Sequence, residues 1–385
     1  MAKHPAWMII PVFYPAVGGA ERQAQRVSQV LMADHNLAVT VLTRRHSPLL
    51  PSNLLASDCL NGLPIWRLSV RSPILRRKAV RLRFFLNGLW YLLRHGRGGG
   101  NFHAHDDRES AWLAVVARRL LGGRAIIKLR SGRYRYAQLT GWRAWLFYWR
   151  LNLADHVIAV NQEVVDLLRE HGVGPPRVVW IPNGVDVEDF YPNPELDRSA
   201  LRARLNLPGD KTLALFVGRL HSHKGSDVLL DAWARLGEAV RAETVLVLVG
   251  DGRQSAALRA MIDRAALGDS VKMVGMQTQV RDYYWAADFL VLPSRTEGLS
   301  NSLIEAFACG LPAVASNVGG ALDIVEEGKN GLLFETENPD SLAQAVGEML
   351  EMRSQWRAMG ECARQTVMAK NDLHRVADAI WQLYR

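Results

Sequence analysis

Two cationic side chains, Arg219 and Lys224, stand five residues apart directly after the apolar run 212–217. This pattern predicts that a strand ends near Gly218 and that a helix begins near Ser226, so both cations lie in a loop at the carboxyl edge of a sheet. A guanidinium provides a planar fork of donors and an ammonium a point charge, and together they suit a diphosphate. A solvated basic loop is the alternative interpretation of the same segment.

Two carboxylates, Glu297 and Glu305, stand eight residues apart in a second predicted strand–loop–helix segment. Carboxylates accept hydrogen bonds from paired hydroxyl groups, such as those of a ribose or another sugar. The spacing of Ser302 and Glu305 also matches a capping box, in which Glu305 bonds the Ser302 amide, and the local sequence alone favours this structural role. The backbone amides between the two carboxylates are predicted to form an anion site at the helix start, and they belong to Gly298, Leu299, Ser300 and Asn301.

Polar residues also end a predicted strand at residues 101–105. His105 and Asp106 can reach the sheet edge there, whereas His103, inside the strand, is interpreted as a core histidine. A metal site that pools these histidines with His221 and His223 is not expected, because no carboxylate or thiol completes a known ligand pattern.

The elements that must position these residues alternate strand and helix along both halves of the chain. The strands are continuous apolar runs, which is typical of parallel sheets covered on both faces. Turn residues at 181–186 and 191–194 predict a linker. The predicted fold class is therefore α/β, with two Rossmann-like, doubly wound domains facing across a cleft in which ligands bind.

Composition and charge narrow the class of protein further. The chain has 385 residues, of which 49% are hydrophobic and 22% charged, so a disordered chain is excluded. Its three cysteines form no C-x-x-C pair, which argues against a disulfide framework. Residues 1–180 carry 26 Lys+Arg and 10 Asp+Glu, a net charge of +16, whereas the remaining 21 basic and 28 acidic residues give −7. A basic first half predicts an anionic partner.

Basic and aromatic residues interleave in the segments 76–91 and 133–150. Helices of this kind can lie at a membrane interface, and the basic charge favours anionic lipid. An amphipathic helix that buries its aromatic side chains in the core is the alternative. We expect peripheral contact with the inner face of the cell membrane, and no membrane-spanning helix.

Several motifs together resemble those of the retaining nucleotide-sugar glycosyltransferases of family four, which have the GT-B fold. The E-x7-E pattern from Glu297 to Glu305 is the most specific of them. The resemblance covers essentially the whole chain and is most specific in residues 212–335. Its other segments are 18–22, 182–186, 218–225, 249–252, 306–312, 318–320 and 330–333.

The resemblance implies a role for each matching residue. Arg219 and Lys224 would grip the donor diphosphate, Glu305 the ribose hydroxyls, and Glu297 the transferred sugar with the amides of 298–301 nearby. From the other domain, Gly18 and Gly19 would approach the donor phosphates, and the loop after Gly275 would pass the base. Where several family members have a histidine that contacts acceptor or sugar, this chain has Arg130, which suits an anionic acceptor. The acceptor side would then include Arg130 and Asp106, with His105 in proton transfer.

The resemblance thus implies an acceptor-binding domain at 1–183, a nucleotide-sugar-binding domain at 184–370, and a C-terminal helix at 371–385 that returns to the first. We expect retaining transfer of a hexose or N-acetylhexosamine, from a UDP-sugar, to a lipid-linked or cell-envelope saccharide such as lipopolysaccharide. No two aspartates are separated by one residue, so we expect no metal cofactor. We also expect a cytoplasmic protein and no nucleic-acid partner.

Two other functions remain open at this point. A nucleotide-sugar epimerase on the same fold would need no acceptor, so incubation with donor alone would identify it. A non-catalytic module that binds polyanions would use the basic half but would not need Glu297 and Glu305.

Overall fold

The computed structural model describes residues 5–15, 18–45, 50–51, 53–70, 77–96 and 98–385. Arg76, and the side chain of Arg77, at the start of the basic–aromatic segment 76–91 lie outside the described part. Contacts divide the chain into unit 1, with bounds Met1–Gly184 and Leu373–Arg385, and unit 2, Val185–Asp372. The boundaries drawn from the sequence, after residues 183 and 370, differ from this division by one and two residues.

Unit 1 is built on an eight-stranded sheet of order β3-β4-β2-β1-β5-β6-β7-β8. Neighbouring strands run parallel, as the apolar runs predict, and the edge pair β3–β4 is an antiparallel hairpin that the sequence analysis missed. The strands are β1 Ala6–Ile9, β2 Val39–Arg44, β3 Ser57–Leu60, β4 Leu63–Leu68, β5 Asn101–Ala104, β6 Arg124–Leu129, β7 His156–Ala159 and β8 Val178–Trp180.

Helices cover both faces of this sheet, and each face has its own apolar core. One face packs against α1 and the C-terminal α16, which contact each other, and the other face against α2, α3, α5 and α6. The helices of unit 1 are α1 Gly19–His35, α2 Arg77–His95, α3 Glu109–Leu121, α4 Arg133–Ala137, α5 Gly141–Asn152, α6 Gln162–Glu170 and, at the C-terminus, α16 Leu373–Tyr384.

Unit 2 has a six-stranded parallel sheet of order β11-β10-β9-β12-β13-β14. The apolar runs 212–217, 244–249, 289–292 and 331–334 predict four strands, and β9, β10, β12 and β14 have these bounds. The strands are β9 Thr212–Val217, β10 Thr244–Val249, β11 Val271–Gly275, β12 Phe289–Leu292, β13 Ala313–Ser316 and β14 Gly331–Phe334. The doubly wound prediction is confirmed for both units.

The helices of unit 2 also lie on both faces of its sheet. Side-chain caps define several helix starts: the Asn338 carboxamide accepts hydrogen bonds from two amides at the start of α14, ahead of Pro339 at the first helical position. The helices are α7 Arg198–Arg204, α8 Ser226–Arg235, α9 Glu238–Glu243, α10 Ser255–Arg264, α11 Val280–Ala286, α12 Asn301–Ala308, α13 Ala321–Ile324, α14 Pro339–Glu351 and α15 Trp356–Lys370.

A row of buried polar side chains crosses the centre of the unit 1 sheet. His103 on β5, His105 just after it and Lys128 on β6 are all buried. The two imidazoles stack with ring centroids 4.4 Å apart, and His103 Nδ1 lies 2.7 Å from the hydroxyl of Tyr384 on α16. Lys128 Nζ has no hydrogen-bond partner among the described residues. His103 is therefore a core histidine, as the sequence analysis interprets it.

Burial disfavours the charged forms of all three groups. It lowers the pKa of His103 to about 3, helped by the nearby Lys128, and lowers the pKa of His105 well below its ordinary value. It also lowers the pKa of Lys128 to about 8. Both imidazoles are thus neutral at pH 7, and Lys128 is a buried cation that destabilises the folded state.

The buried Lys128 makes a prediction about pH. Below pH 8 Lys128 is protonated in both the folded and the unfolded state, and its burial as a cation destabilises the folded state in full. Between pH 8 and 10.5 the unfolded chain binds more protons than the folded one, so the free energy of unfolding rises with pH. Lys128→Met should therefore raise the free energy of unfolding at pH 7, on the order of 3 kcal/mol, and this gain should shrink towards pH 10.5. Denaturant unfolding across pH measures it.

The matched control is Lys78→Met, at an exposed position, which should change little at any pH. A Lys128→Met variant that is less stable at pH 7, or whose difference from wild type does not vary with pH, would contradict the assignment.

Candidate active site

The two loops with the predicted cations and carboxylates touch at the carboxyl edge of the unit 2 sheet. They follow β9 and β12, which are neighbouring parallel strands. Gly225, at the end of the β9 loop, has a φ of +66°, and a Cβ there would lie 1.9 Å from the Pro293 carbonyl oxygen at the start of the β12 loop. Only glycine fits this conformation and this contact, so the backbone itself holds the loops together.

This contact brings Lys224 and Glu297 into an ion pair. Lys224 Nζ binds Glu297 Oε2, and the Ser294 hydroxyl donates to the same oxygen at 3.3 Å. Both charged side chains are largely buried, 15% and 20% exposed. The sequence analysis assigns the two residues to one site, and the structure places them in direct contact. Arg219, earlier in the same loop, is exposed.

Arg295 fastens the two loops from outside, a role that the sequence analysis missed. Its guanidinium binds both carboxylate oxygens of Asp227 at 2.8 and 2.9 Å, the Glu337 carboxylate at 2.7 Å and the Ser222 carbonyl at 2.6 Å. Burial opposes ionisation of Asp227, but the hydrogen bonds from Arg295 outweigh it and lower the pKa of that carboxyl. Such a bidentate pair fixes position as well as charge.

The neighbouring loops approach through glycine as well. Gly250, after β10, has a φ of +139°, and a Cβ there would lie 1.9 Å from the Gly218 carbonyl oxygen. Its amide donates to the carbonyl of Gly275, the residue after which the donor base is expected to pass. Gly319, after β13, would place a Cβ 2.1 Å from the Glu297 carbonyl oxygen. The edge of the sheet is therefore a surface of closely packed backbone.

Glu305 is buried in α12, 4% exposed, and one carboxylate oxygen accepts a 2.9 Å hydrogen bond from the Tyr284 hydroxyl. The capping-box interpretation is wrong. Ser300 is the N-cap of α12 and Ser302 is its second residue, where its hydroxyl lies 2.9 Å from that of Ser300. A capping box needs Ser302 at the N-cap. Glu305 is a buried acceptor in the second turn rather than the first.

The expected anion-binding amides surround this helix start. Gly298 and Leu299 precede the N-cap and Asn301 is the first residue of α12. Leu299 packs into the core of unit 2, and the Gly298 carbonyl accepts a hydrogen bond from the Gly320 amide. The segment is thus fixed by packing on one side and by the β13 loop on the other.

The remaining predicted residues lie in unit 1. Gly18 is the buried N-cap of α1 and Gly19 its exposed first residue. Asp106 is buried: its carboxylate accepts from the Arg108 amide at 2.7 Å and from the Ser110 hydroxyl at 3.1 Å at the start of α3, and burial raises its pKa. Arg130 is exposed at the end of β6 and makes no hydrogen bond with any described residue.

The aromatic helix α5 is only partly a core element. Phe147 and Tyr148 are buried, whereas Trp142 and Trp145 are 70% and 64% exposed. Trp145 stacks on Trp149 in the same helix, with ring centroids 5.5 Å apart. A single core-facing stripe therefore does not account for these side chains. Within the described residues, no helix is both long and apolar enough to cross a bilayer.

Comparison with known proteins matches both halves of the chain to family models. Residues 17–189 match the model described as Glycosyltransferase Family 4, and residues 197–366 match that of Glycosyl transferases group 1. The D-inositol 3-phosphate glycosyltransferase 2 of Catenulispora acidiphila is 37% identical over 224 residues, which are 55% of this chain and 52% of the relative. The chain spans about half the length of the curated relatives that it matches.

Solved structures resemble the chain over its whole length. A sucrose-phosphate synthase from Thermosynechococcus elongatus has a TM-score of 0.85 and 27% identity, covering 100% of this chain and 98% of its own. The Anabaena protein HepE, solved with UDP-glucose, has a TM-score of 0.79 and 20% identity, covering 98% of each chain. The chain has two doubly wound units built on largely parallel sheets, and it matches both family models in order. The chain therefore belongs to family 4 of the glycosyltransferases, a family of transferase enzymes with the GT-B fold.

Proposed function

We propose that the protein is a retaining glycosyltransferase that moves a hexose or N-acetylhexosamine from a UDP-sugar to an anionic or lipid-linked saccharide. The observation that carries the proposal is the contact between the loops after β9 and β12, which pairs Lys224 with Glu297. Arg219 in the first loop and Glu305 in the helix after the second supply the other charged groups that a nucleotide-sugar needs.

In this proposal the site acts on the leaving group. Negative charge builds on the donor diphosphate as the bond to the sugar breaks, and cations that are already fixed there stabilise the transition state more than the ground state. Arg219 and Lys224 provide that charge without a bound metal. Lys224 is held in place by Glu297, so little reorganisation is needed when the phosphates bind. Glu305, oriented by Tyr284, accepts the ribose hydroxyls, and Glu297 accepts those of the sugar.

The UDP donor is supported by a protein of the same fold, HepE, whose structure was solved with UDP-glucose. An anionic acceptor is supported by the exposed Arg130 and by the +16 charge of residues 1–180. The relative from Catenulispora acidiphila carries D-inositol 3-phosphate in its name. We further propose that His105 takes part in moving the acceptor proton, as a weak base because burial disfavours its charged form, and that Asp106 orients the acceptor side of unit 1.

The donor assignment makes a prediction about Arg219 and Lys224. Arg219→Ala and Lys224→Ala should each lower kcat by roughly 100-fold or more, with a smaller effect on donor affinity, because the lost charge acts mainly in the transition state. Steady-state kinetics and calorimetry with UDP-sugars measure the two effects. Neither magnesium nor EDTA should change the wild-type rate much. The control is Arg264→Ala, at an exposed position in α10; a fully active Arg219→Ala would refute the glycosyltransferase proposal.

Glu305→Gln tests the ribose contact separately. The amide can still accept the Tyr284 hydrogen bond, so the melting temperature should stay nearly unchanged. Donor binding should weaken by at least about 1.5 kcal/mol, since a charged acceptor with two equivalent oxygens is lost. Early melting with normal donor binding would mean that Glu305 is only structural.

Replacing Arg130 should separate the binding of the acceptor from the binding of the donor. Because it is exposed and unpaired among the described residues, Arg130→Ala should raise the acceptor KM and leave the donor Kd unchanged. The exposed Arg119→Ala is the control and should change neither. Turnover of the donor in the absence of any acceptor, to an isomeric nucleotide-sugar, would instead identify an epimerase.

We also propose peripheral binding of the basic half to anionic membrane. The protein should sediment with anionic but not neutral vesicles at low salt, and salt should release it by screening. Replacing Arg76, Arg77 and Lys78 by Ala should weaken binding by on the order of 1 kcal/mol per charge. Equal sedimentation with neutral vesicles, or none with either, would contradict the proposal.

A further inference from the structure

A cavity of about 740 Å³ opens in unit 1 among α2, α3, α4 and α5. This volume lies in the range of pockets that enclose a small-molecule ligand. Its walls are mostly apolar and aromatic, and they include Leu82, Phe85, Trp112, Leu139, Trp142 and Leu146. We call it the α2–α5 groove. Two of these side chains remain strongly exposed, Leu82 at 57% and Trp142 at 70%, so the groove presents uncovered apolar surface.

Positive charge dominates among the charged side chains that line the groove. Five arginines and two acids line it, and both acids are already neutralised by arginines. Glu109 binds Arg44 and Arg81, and Asp107 binds Arg135. The arginines left without a carboxylate partner among the described residues are Arg108, Arg143 and Arg150. A lining that combines apolar side chains with arginines complements a molecule that has a hydrocarbon chain and an anionic head.

Arg150 supplies a second, independent observation. It is 6% exposed, yet its Nε is buried without a hydrogen-bond partner in the described structure. Its guanidinium stacks over the rings of Trp112 and Phe147, 5.6 and 5.5 Å from their centroids, and one terminal nitrogen donates to the Asp107 carbonyl. A buried donor left unsatisfied is costly, and an anionic ligand oxygen entering the groove would satisfy it.

We propose that the α2–α5 groove binds the hydrocarbon chain of a lipid phosphate, with the phosphate held by Arg108, Arg143 and Arg150. The ligand lies in the groove as a single molecule, which differs from adsorption of the protein to a bilayer surface. The inference deepens the proposed function, on which it rests for the ligand's role: the groove then binds the lipid part of the acceptor.

The test uses the full chain without any sugar donor and dodecyl phosphate below its critical micelle concentration as the probe. Calorimetry should show saturable binding of one molecule per chain. Across the octyl, decyl and dodecyl phosphates, affinity should rise by about fourfold per methylene. Butyl phosphate should bind too weakly to detect, and dodecyltrimethylammonium should bind at least tenfold more weakly than dodecyl phosphate, because its charge is repelled by the arginines that line the groove.

Two matched pairs of exposed substitutions place the ligand in the groove. The first pair is Leu82→Asp and Leu86→Asp. Leu82 lines the groove, whereas Leu86, 51% exposed on the same helix, lies outside its lining. Trp142→Ala and Trp145→Ala form the equivalent pair on α5. The groove variants should lose at least tenfold in affinity for dodecyl phosphate, and the controls should stay within twofold of wild type.

The outcomes separate this inference from the proposed function. Saturable binding of dodecyl phosphate by a protein that transfers no sugar would refute the proposed function and support the groove as a lipid-phosphate site. Sugar transfer to a water-soluble acceptor by a protein that binds no dodecyl phosphate would support the proposed function and refute the lipid-phosphate site. Equal losses of affinity for dodecyl phosphate in both members of each pair, or binding that does not saturate, would show adsorption by surface charge. Either result would refute the lipid-phosphate site.

Discussion

Carbonyl oxygens that approach glycine Cα atoms too closely for any side chain hold the carboxyl edge of the unit 2 sheet together. Gly225 meets the Pro293 carbonyl in this way, and Gly250 that of Gly218. Since these contacts are made by backbone, they fix the loops with little dependence on side-chain rotamers. The ion pair of Lys224 and Glu297 joins the two loops that the Gly225–Pro293 contact brings together. Charge placed on such a frame is preorganised.

The two units differ in how their cationic side chains are paired with carboxylates. In unit 2 the carboxylate of Glu297 matches Lys224 in the site, and the Arg295–Asp227 pair shows that the matching extends to the supporting loops. In unit 1 the acids are few, and the two that line the α2–α5 groove are paired with arginines, so other arginines are left facing solvent or the groove. The interior of unit 1 also buries Lys128, whose ammonium has no hydrogen-bond partner among the residues that the structure describes. Attraction for an anion is thus a property of the whole unit.

The sequence predicts most of the elements because the strands are continuous apolar runs, and the runs 212–217 and 244–249 coincide with β9 and β10. The exposed edge strand β3 has no such run. Its signal was the pair Asn61-Gly62, with φ values of 49° and 83°, which is a common hairpin turn. In the site, spacing predicted Glu297 and Glu305 but not Tyr284. The Arg295–Asp227 and His103–Tyr384 pairs join residues far apart in sequence, and no local pattern contains them. The groove depends on side chains of four helices, so only the tertiary structure reveals it.

The C-terminal helix has a consequence for how the chain is made. α16 supplies Leu373, Val376 and Ile380 to the core on one face of the unit 1 sheet, and Tyr384 to its buried histidine. On the ribosome all of unit 2 is synthesised before these residues appear, which takes roughly 10 to 40 s at ordinary rates of translation. Throughout that time the first unit emerges with part of its core uncovered. The nascent chain therefore presents to chaperones an apolar surface that the finished protein never exposes.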